Sequence, residues 1–275
     1  MNMTGQQPLV SVVIPAWNAE KTLGPLLDSV KNQTWKNLEI IVVDDGSTDH
    51  TASIAEAAAK EDGRIRIFRQ ECLGVSEARN AGLRQCTGKY IRFADADDTV
   101  PRRSIEEMVL RAEQDGSELV IGGYKQYLKD ASSVHNLANR GDTAACDDVL
   151  GHLCDHANSY FYGVLWNKLF LREIISREQI CFEPRFTWGE DCAFVMDYLQ
   201  WVKKISFMKE TVYDYRRSAG STTVRQAFDS VRHPLFNIRV KIGIYEHLKR
   251  MYMHRGQYDR YKNRLWMYLF RVGLG

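Results

Sequence analysis

Residues 9–14 form an apolar, β-branched run ended by Pro15, the signature of a strand buried on both faces of a parallel sheet. Leu23, Leu26, Leu27 and Val30 follow at i, i+3, i+4 and i+7, one stripe of a helix. The same order then recurs, with a strand over 38–43, a capping stretch Gly46-Ser47-Thr48-Asp49, and an alanine-rich helix ending near Lys60. Two βα units in succession dictate an α/β chain with a doubly wound, mostly parallel sheet, because parallel strands need helical crossovers.

The alternation continues with strands over 65–68, 90–94 and 119–123 and helices over 76–85 and 101–114. The last of these has Pro101 at its first turn and the stripe Ile105, Met108, Val109, Ala112. Over 124–158 the pattern weakens into polar, Gly- and Asp-containing sequence, which predicts irregular structure or short helices. Order resumes over 160–170, with a helix over 189–201, a strand over 205–215, and two amphipathic helices over 234–253 and 257–272. At 275 residues and 44% hydrophobic, the chain can bury one full α/β core and carry an appendage. The expected division is a main domain over 1–224 and a helical extension over 225–275.

No stretch reaches the ~18 consecutive apolar residues of a membrane span, and the polar first residues lack the apolar core of a signal peptide. The expectation is a cytoplasmic protein. Cys72, Cys86, Cys146, Cys154, Cys181 and Cys192 include no C-x-x-C pair, so they read as reduced core or boundary thiols. The formal net charge is +2, but residues 228–275 hold ten Lys or Arg against three Asp or Glu. In that tail Tyr261, Leu265, Trp266, Leu269 and Phe270 line up against Arg260, Lys262, Arg264 and Arg271. Such a helix suits peripheral attachment to an anionic membrane surface, packing on the main domain, or pairing with a partner chain in an oligomer. A nucleic-acid role has no support, since basic residues concentrate in the tail and no recognition motif is present.

In an open parallel sheet, ligands bind beyond the carboxyl ends of the strands. Asp44 and Asp45 follow the second strand there, and the run Asp95-Ala96-Asp97-Asp98 follows the fourth. Asp-rich turns also arise simply because Asp caps helices and tolerates turn geometry. Three carboxylates within four residues after a buried strand nonetheless repel one another unless a cation neutralises them. Hard oxygen ligands suit Mg²⁺ or Mn²⁺, the ions that hold diphosphates.

Five segments together carry a resemblance to family 2 glycosyltransferases of the GT-A, Rossmann-like nucleotide-diphospho-sugar fold. They are residues 10–18 (VSVVIPAWN), 42–49 (VVDDGSTD), 78–82 (ARNAG), 88–98 (GKYIRFADADD) and 189–191 (GED), in family order. The resemblance runs from residue 9 to about 224, with a donor half over about 9–124 and an acceptor half over about 125–224. It implies transfer from a UDP-sugar to a glycan or lipid-linked glycan with inversion, in cell-surface polysaccharide biosynthesis. It also places Pro15, Ala16, Trp17, Asn18 and Asp45 around the nucleobase, with Asp45 accepting the uracil N–H. Arg79 then lies against the base or diphosphate, Asp95 near the ribose, and Asp97 on Mn²⁺ or Mg²⁺. Arg79 is open to a second reading as a surface ion pair.

Family members often carry a His where Ser218 stands here; Arg216 and Arg217 either offset diphosphate charge or merely flank a loop. In the acceptor half, Trp166 and Trp188 are aromatics beside polar groups, a mixture that stacks on sugar rings, although Trp166 and Phe170 also fit core positions. A sugar hydroxyl is a weak nucleophile at neutral pH and needs a base. The resemblance gives that role to Asp191 and leaves Glu190 to bind or orient the acceptor. Adjacent residues starting a helix should diverge, so only one of the two is expected to face the acceptor; both also suit a helix N-terminus as such.

Two other classes compete. A sugar nucleotidyltransferase would show a Gly-rich basic loop after the first strand, where this chain has Pro15-Ala16-Trp17-Asn18. A non-catalytic protein on the same fold is disfavoured by the presence of Asp97 and Asp191.

Overall fold

β1 (Val10–Ala16) and β2 (Leu38–Asp45) are buried at every position, which requires cover on both faces of the sheet. The computed structural model describes residues 7–128, 131–136, 143–156, 160–186, 188–217 and 234–271. β3 (Ile65–Gln70) and β4 (Tyr90–Phe93) complete a parallel set in the order β3-β2-β1-β4. α1 (Leu23–Lys31) buries the four apolar residues of its stripe. α2 (Thr51–Glu61) and α3 (Val75–Gln85) follow β2 and β3. α3 lies so close to the sheet that a Cβ on Gly82 would stand 2.5 Å from Val13 Cγ1.

α4 (Ser104–Asp115) starts three residues after Pro101, later than the sequence predicts. The buried Gln33 side chain explains the delay: its amide donates to the Val100 and Pro101 carbonyls while its Oε1 accepts the Ile105 N–H. β5 (Leu119–Leu128) runs beyond its predicted end and pairs antiparallel with β6 (Ala131–His135). β7 (Thr143–Ala145) and α5 (Cys146–Asp155) then fill a region expected to be irregular or to hold short helices. β6 is largely exposed and polar, so it offers no apolar alternation to read.

α6 (Tyr160–Gly163) and β8 (Lys168–Leu171) precede α7 (Arg172–Arg177), which is too short to show a stripe. α8 (Glu190–Leu199), β9 (Lys204–Arg217), α9 (Pro234–His254) and α10 (Tyr258–Arg271) close the chain. Among the described residues the sheet has nine strands, and its main path is β3-β2-β1-β4-β8-β5-β9-β7. β8 runs antiparallel to both β4 and β5 and so separates the parallel set β3-β2-β1-β4 from the parallel pair β5-β9.

The tail helices pack onto the body. α9 lies against α8, and α10 against α5. Arg255 Nη1 donates to the Leu199, Gln200 and Val202 carbonyls, satisfying the open end of α8. Tyr261, Leu265 and Tyr268 face inward while Trp266 and Met267 stay exposed, so packing accounts for one face of α10 only. The six cysteines are free thiols. Among the described residues no helix is long and apolar enough to cross a membrane.

Candidate active site

The strand order reverses between β1 and β4, the switch point beyond whose carboxyl ends open parallel sheets bind their ligands. Pro15 and Ala16 are buried at the end of β1, whereas Trp17 is 52% exposed, its indole offering a face for a planar base. Asn18 has φ 47, a left-handed conformation Asn tolerates, and it splices two loops. Its N–H donates to Ser47 Oγ at 2.9 Å and its Oδ1 accepts the Thr48 N–H at 2.9 Å. Asp45 accepts from Gln70 Nε2 and the Leu73 N–H at 2.8 Å and from the Gly74 N–H at 2.9 Å. It thereby fixes the loop leading into α3, and a carboxylate's roughly four acceptor sites leave room for a further donor. Asp44, fully buried beside it, accepts the Ser47 N–H and faces Arg69.

The acidic turn after β4 is tied to β9. Tyr213 Oη accepts the Asp95 N–H at 3.0 Å, and Asp98 Oδ1 accepts the Arg216 N–H at 2.7 Å. Asp98 Oδ2 is buried with no hydrogen-bond partner among the described residues. Burial, with Asp95 close by, pushes the Asp97 carboxyl up to about 6. Burial raises Asp98 well above the usual range, with Asp97 and Asp95 adding to it. An orphaned buried oxygen beside crowded carboxylates is what a divalent cation would relieve, so these residues fit Mn²⁺ or Mg²⁺. The Arg216 guanidinium lies 5.2 Å above the Tyr127 ring. The Arg217 side chain and Ser218 fall outside the described residues.

Arg79 is 4% exposed on α3, so it is not a surface ion pair. Its Nη2 donates to Asp95 Oδ1 at 3.0 Å, and its Nη1 donates to Glu190 Oε1 at 2.8 Å and Asp191 Oδ1 at 2.6 Å. The expected divergence of Glu190 and Asp191 is therefore corrected: one buried cation draws both carboxylates onto a single nitrogen. Burial raises the Asp191 carboxyl well above its ordinary range; Arg79 opposes that rise, and Glu190 and Asp95 add to it. Three carboxylates around one guanidinium leave net negative charge, so the direction is upward.

The model of the family described as "Glycosyl transferase family 2" matches residues 11–167, more than half of the chain. The chain belongs to glycosyl transferase family 2. It is 31% identical over 244 residues to the uncharacterized glycosyltransferase EpsJ of Bacillus subtilis, covering 87% of this chain and 70% of that one. Its fold is similar to the crystal structure of S. aureus TarS in complex with UDP-GlcNAc, with TM-score 0.67, 19% identity, and 89% and 72% of the two chains covered. It is also similar to the mannosyltransferase PcManGT from Pyrobaculum calidifontis in complex with GDP-Man and Mn²⁺. There the TM-score is 0.59, with 16% identity and 98% and 87% of the chains covered.

The acceptor half of this glycosyltransferase needs one correction. Trp166 is 3% exposed, with its ring stacked on Tyr213 and Tyr215, so no ring face is open to a sugar. Its neighbours are core as well. Lys168 is fully buried, donates to the Phe161 and Val164 carbonyls and to Asn167 Oδ1, and is pushed down to about 7 by burial. Trp188 is half-buried at the edge of the core, beside the carboxylates.

Sequence reasoning passed over residues that hold the transferase site together. Asn80 and the Phe182 backbone exchange two hydrogen bonds of 2.8 Å, and the Phe182 ring lies 5.5 Å from the Arg79 guanidinium. Asn80 stands in the segment 78–82 that carries the family resemblance, which assigns it no role. Glu183, Asp197 and His247 bring ligand atoms within 4.8 Å of one another. His247 Nδ1 is hydrogen-bonded to Asp197 at 2.8 Å, while Nε2 lies 3.2 Å from Glu183 with no hydrogen bond among the described residues.

Proposed function

We propose that this enzyme transfers a sugar from a UDP-sugar to a hydroxyl of a glycan or lipid-linked glycan in cell-surface polysaccharide biosynthesis, by single displacement with inversion. The observation that carries the reading is the Arg79 guanidinium, which spans Asp95 of the donor crevice and Asp191 on α8. Donor and acceptor chemistry thus meet at one buried cation. Trp17 and Asp45 receive the nucleobase, Asp95 the ribose, and Asp97 the Mn²⁺ or Mg²⁺ that, when bound, offsets the diphosphate charge. Asp191 takes the proton from the acceptor hydroxyl, while Glu190 and Trp188 bind and orient the acceptor. The complexes of TarS with UDP-GlcNAc and of PcManGT with GDP-Man and Mn²⁺ support a nucleotide-sugar on this fold.

A thermal-shift screen in Mn²⁺ with UDP-, GDP- and dTDP-sugars tests the donor. UDP-sugars should stabilise the protein through ligand linkage. Asp45→Ala should weaken UDP binding by about 1–3 kcal/mol, the cost of leaving a buried partner unpaired. Stabilisation by GDP-sugars alone would overturn the uracil reading.

The exposed face of α9 and α10 carries Ile238, Ile242, Trp266 and Met267 among basic residues. We assign it to peripheral contact with the anionic inner face of the cell membrane. The protein should sediment with anionic vesicles at low salt and be released by salt, and Trp266→Ser should weaken capture. No sedimentation at low salt would leave that face to a partner chain.

A further inference from the structure

Among the described residues, 182–186 and 188–189 belong to no helix or strand, yet they lead to Glu190 and Asp191. The Asn80 pair holds their start at Phe182, and Arg79 holds their end. Their middle rests on α9. Gly243 faces the Phe186 ring, where a Cβ would come within 2.6 Å, and Gly189 (φ +77) faces Ile244, where a Cβ would stand 2.7 Å from Cδ1. Only Gly combines that close approach with that backbone at 189.

Between these contacts sits His247, 0% exposed. Its Nδ1 is 2.8 Å from Asp197 Oδ1 on α8, which also accepts from Gln200 Nε2. Its Nε2 lies 3.2 Å from Glu183 Oε1, a close polar contact without the geometry of a hydrogen bond among the described residues, and that carboxylate is otherwise paired with the exposed Arg185. One imidazole therefore joins three elements: α9, α8 and the segment that aims the carboxylates.

We propose that His247 is a positioning residue for transfer: through Glu183 it fixes segment 182–189, and so the direction in which Asp191 meets the acceptor hydroxyl. The proposal rests on Asp191 as the base. Misplacement of a reacting group by about 1 Å costs up to about 10²-fold in rate, so a contact outside the crevice can govern turnover.

The two ring nitrogens can be tested separately. In His247→Gln the amide nitrogen reaches the place of Nε2 and keeps a polar group facing Glu183; in His247→Asn it reaches the place of Nδ1 and serves Asp197 alone. Three measurements on the full chain compare them: hydrogen exchange over 182–189, UDP affinity by calorimetry, and release of UDP from UDP-GlcNAc in Mn²⁺ with water as acceptor. His247→Asn should speed exchange in this segment and lower UDP release by about 10–100-fold, with UDP affinity unchanged, whereas His247→Gln should stay within about threefold of wild type.

Glu183→Gln removes the carboxylate that faces Nε2 from the partly exposed side, and should match His247→Asn should the latter fail to fold. Equal exchange and equal turnover in the Asn and Gln variants would reduce His247 to packing and overturn the proposal. Normal turnover in Asp191→Asn, with the exchange contrast intact, would instead overturn the choice of base.

Discussion

Asp191→Asn is expected to lower turnover roughly 10²–10⁴-fold, the usual contribution of a general base, while leaving UDP and metal binding intact. The substitution keeps the shape of the side chain and removes only its ability to take a proton. Its sharpest control is Glu190→Gln, because both carboxylates touch Arg79 Nη1. If Glu190→Gln is dead and Asp191→Asn turns over normally, the two roles are reversed. The pH profile gives a second check. Only the ionised carboxylate accepts a proton, and burial holds Asp191 above the usual carboxylate range. The acid limb of the rate profile should therefore lie above the ordinary carboxylate pKa, with turnover falling as pH drops through it and protonates Asp191.

Asp97→Asn should act with opposite signs on two observables. Among the described residues no basic side chain pairs with Asp97, and its charge is crowded by burial and by Asp95. Removing that charge should leave the melting temperature of the ligand-free protein in EDTA unchanged or higher. The Mn²⁺-dependent gain in UDP affinity should vanish, and transfer should fall by about two orders of magnitude or more, since a bound divalent ion contributes several kcal/mol of charge stabilisation. Full activity in EDTA would sink the metal reading. A drop in melting temperature equal to the loss of activity would make Asp97 structural.

The donor half was legible because its signals are local. Three buried strands, one partly exposed strand and their helices repeat a period the eye can count, and Asp45 and Asp97 stand where such strands end. The acceptor half was less so. β6 is short and solvent-facing, and α7 spans six residues, so neither leaves a periodic trace. Trp166 and Lys168 sit in a motif with the composition of a sugar-binding edge, but burial on all sides turns them into core. The convergence of Glu190 and Asp191 depends on Arg79, 111 and 112 residues earlier in the chain. The bridge from His247 to Asp197 crosses 50 residues. Contacts of that range are set by how elements dock, which no window of sequence records.

The seam between α8 and α9 also bears on engineering. Gly189 and Gly243 leave room for the Ile244 and Phe186 side chains, which would stand 2.7 Å and 2.6 Å from a Cβ at those positions. Anyone building chimaeras to exchange acceptor preference among relatives should therefore not cut at the apparent end of the catalytic body near residue 224. The cassette that keeps the lead into Glu190 and Asp191 with its packing partners runs from Phe182 through α9, with α10 included because it packs on α5. Loop and helix are one transplantable part.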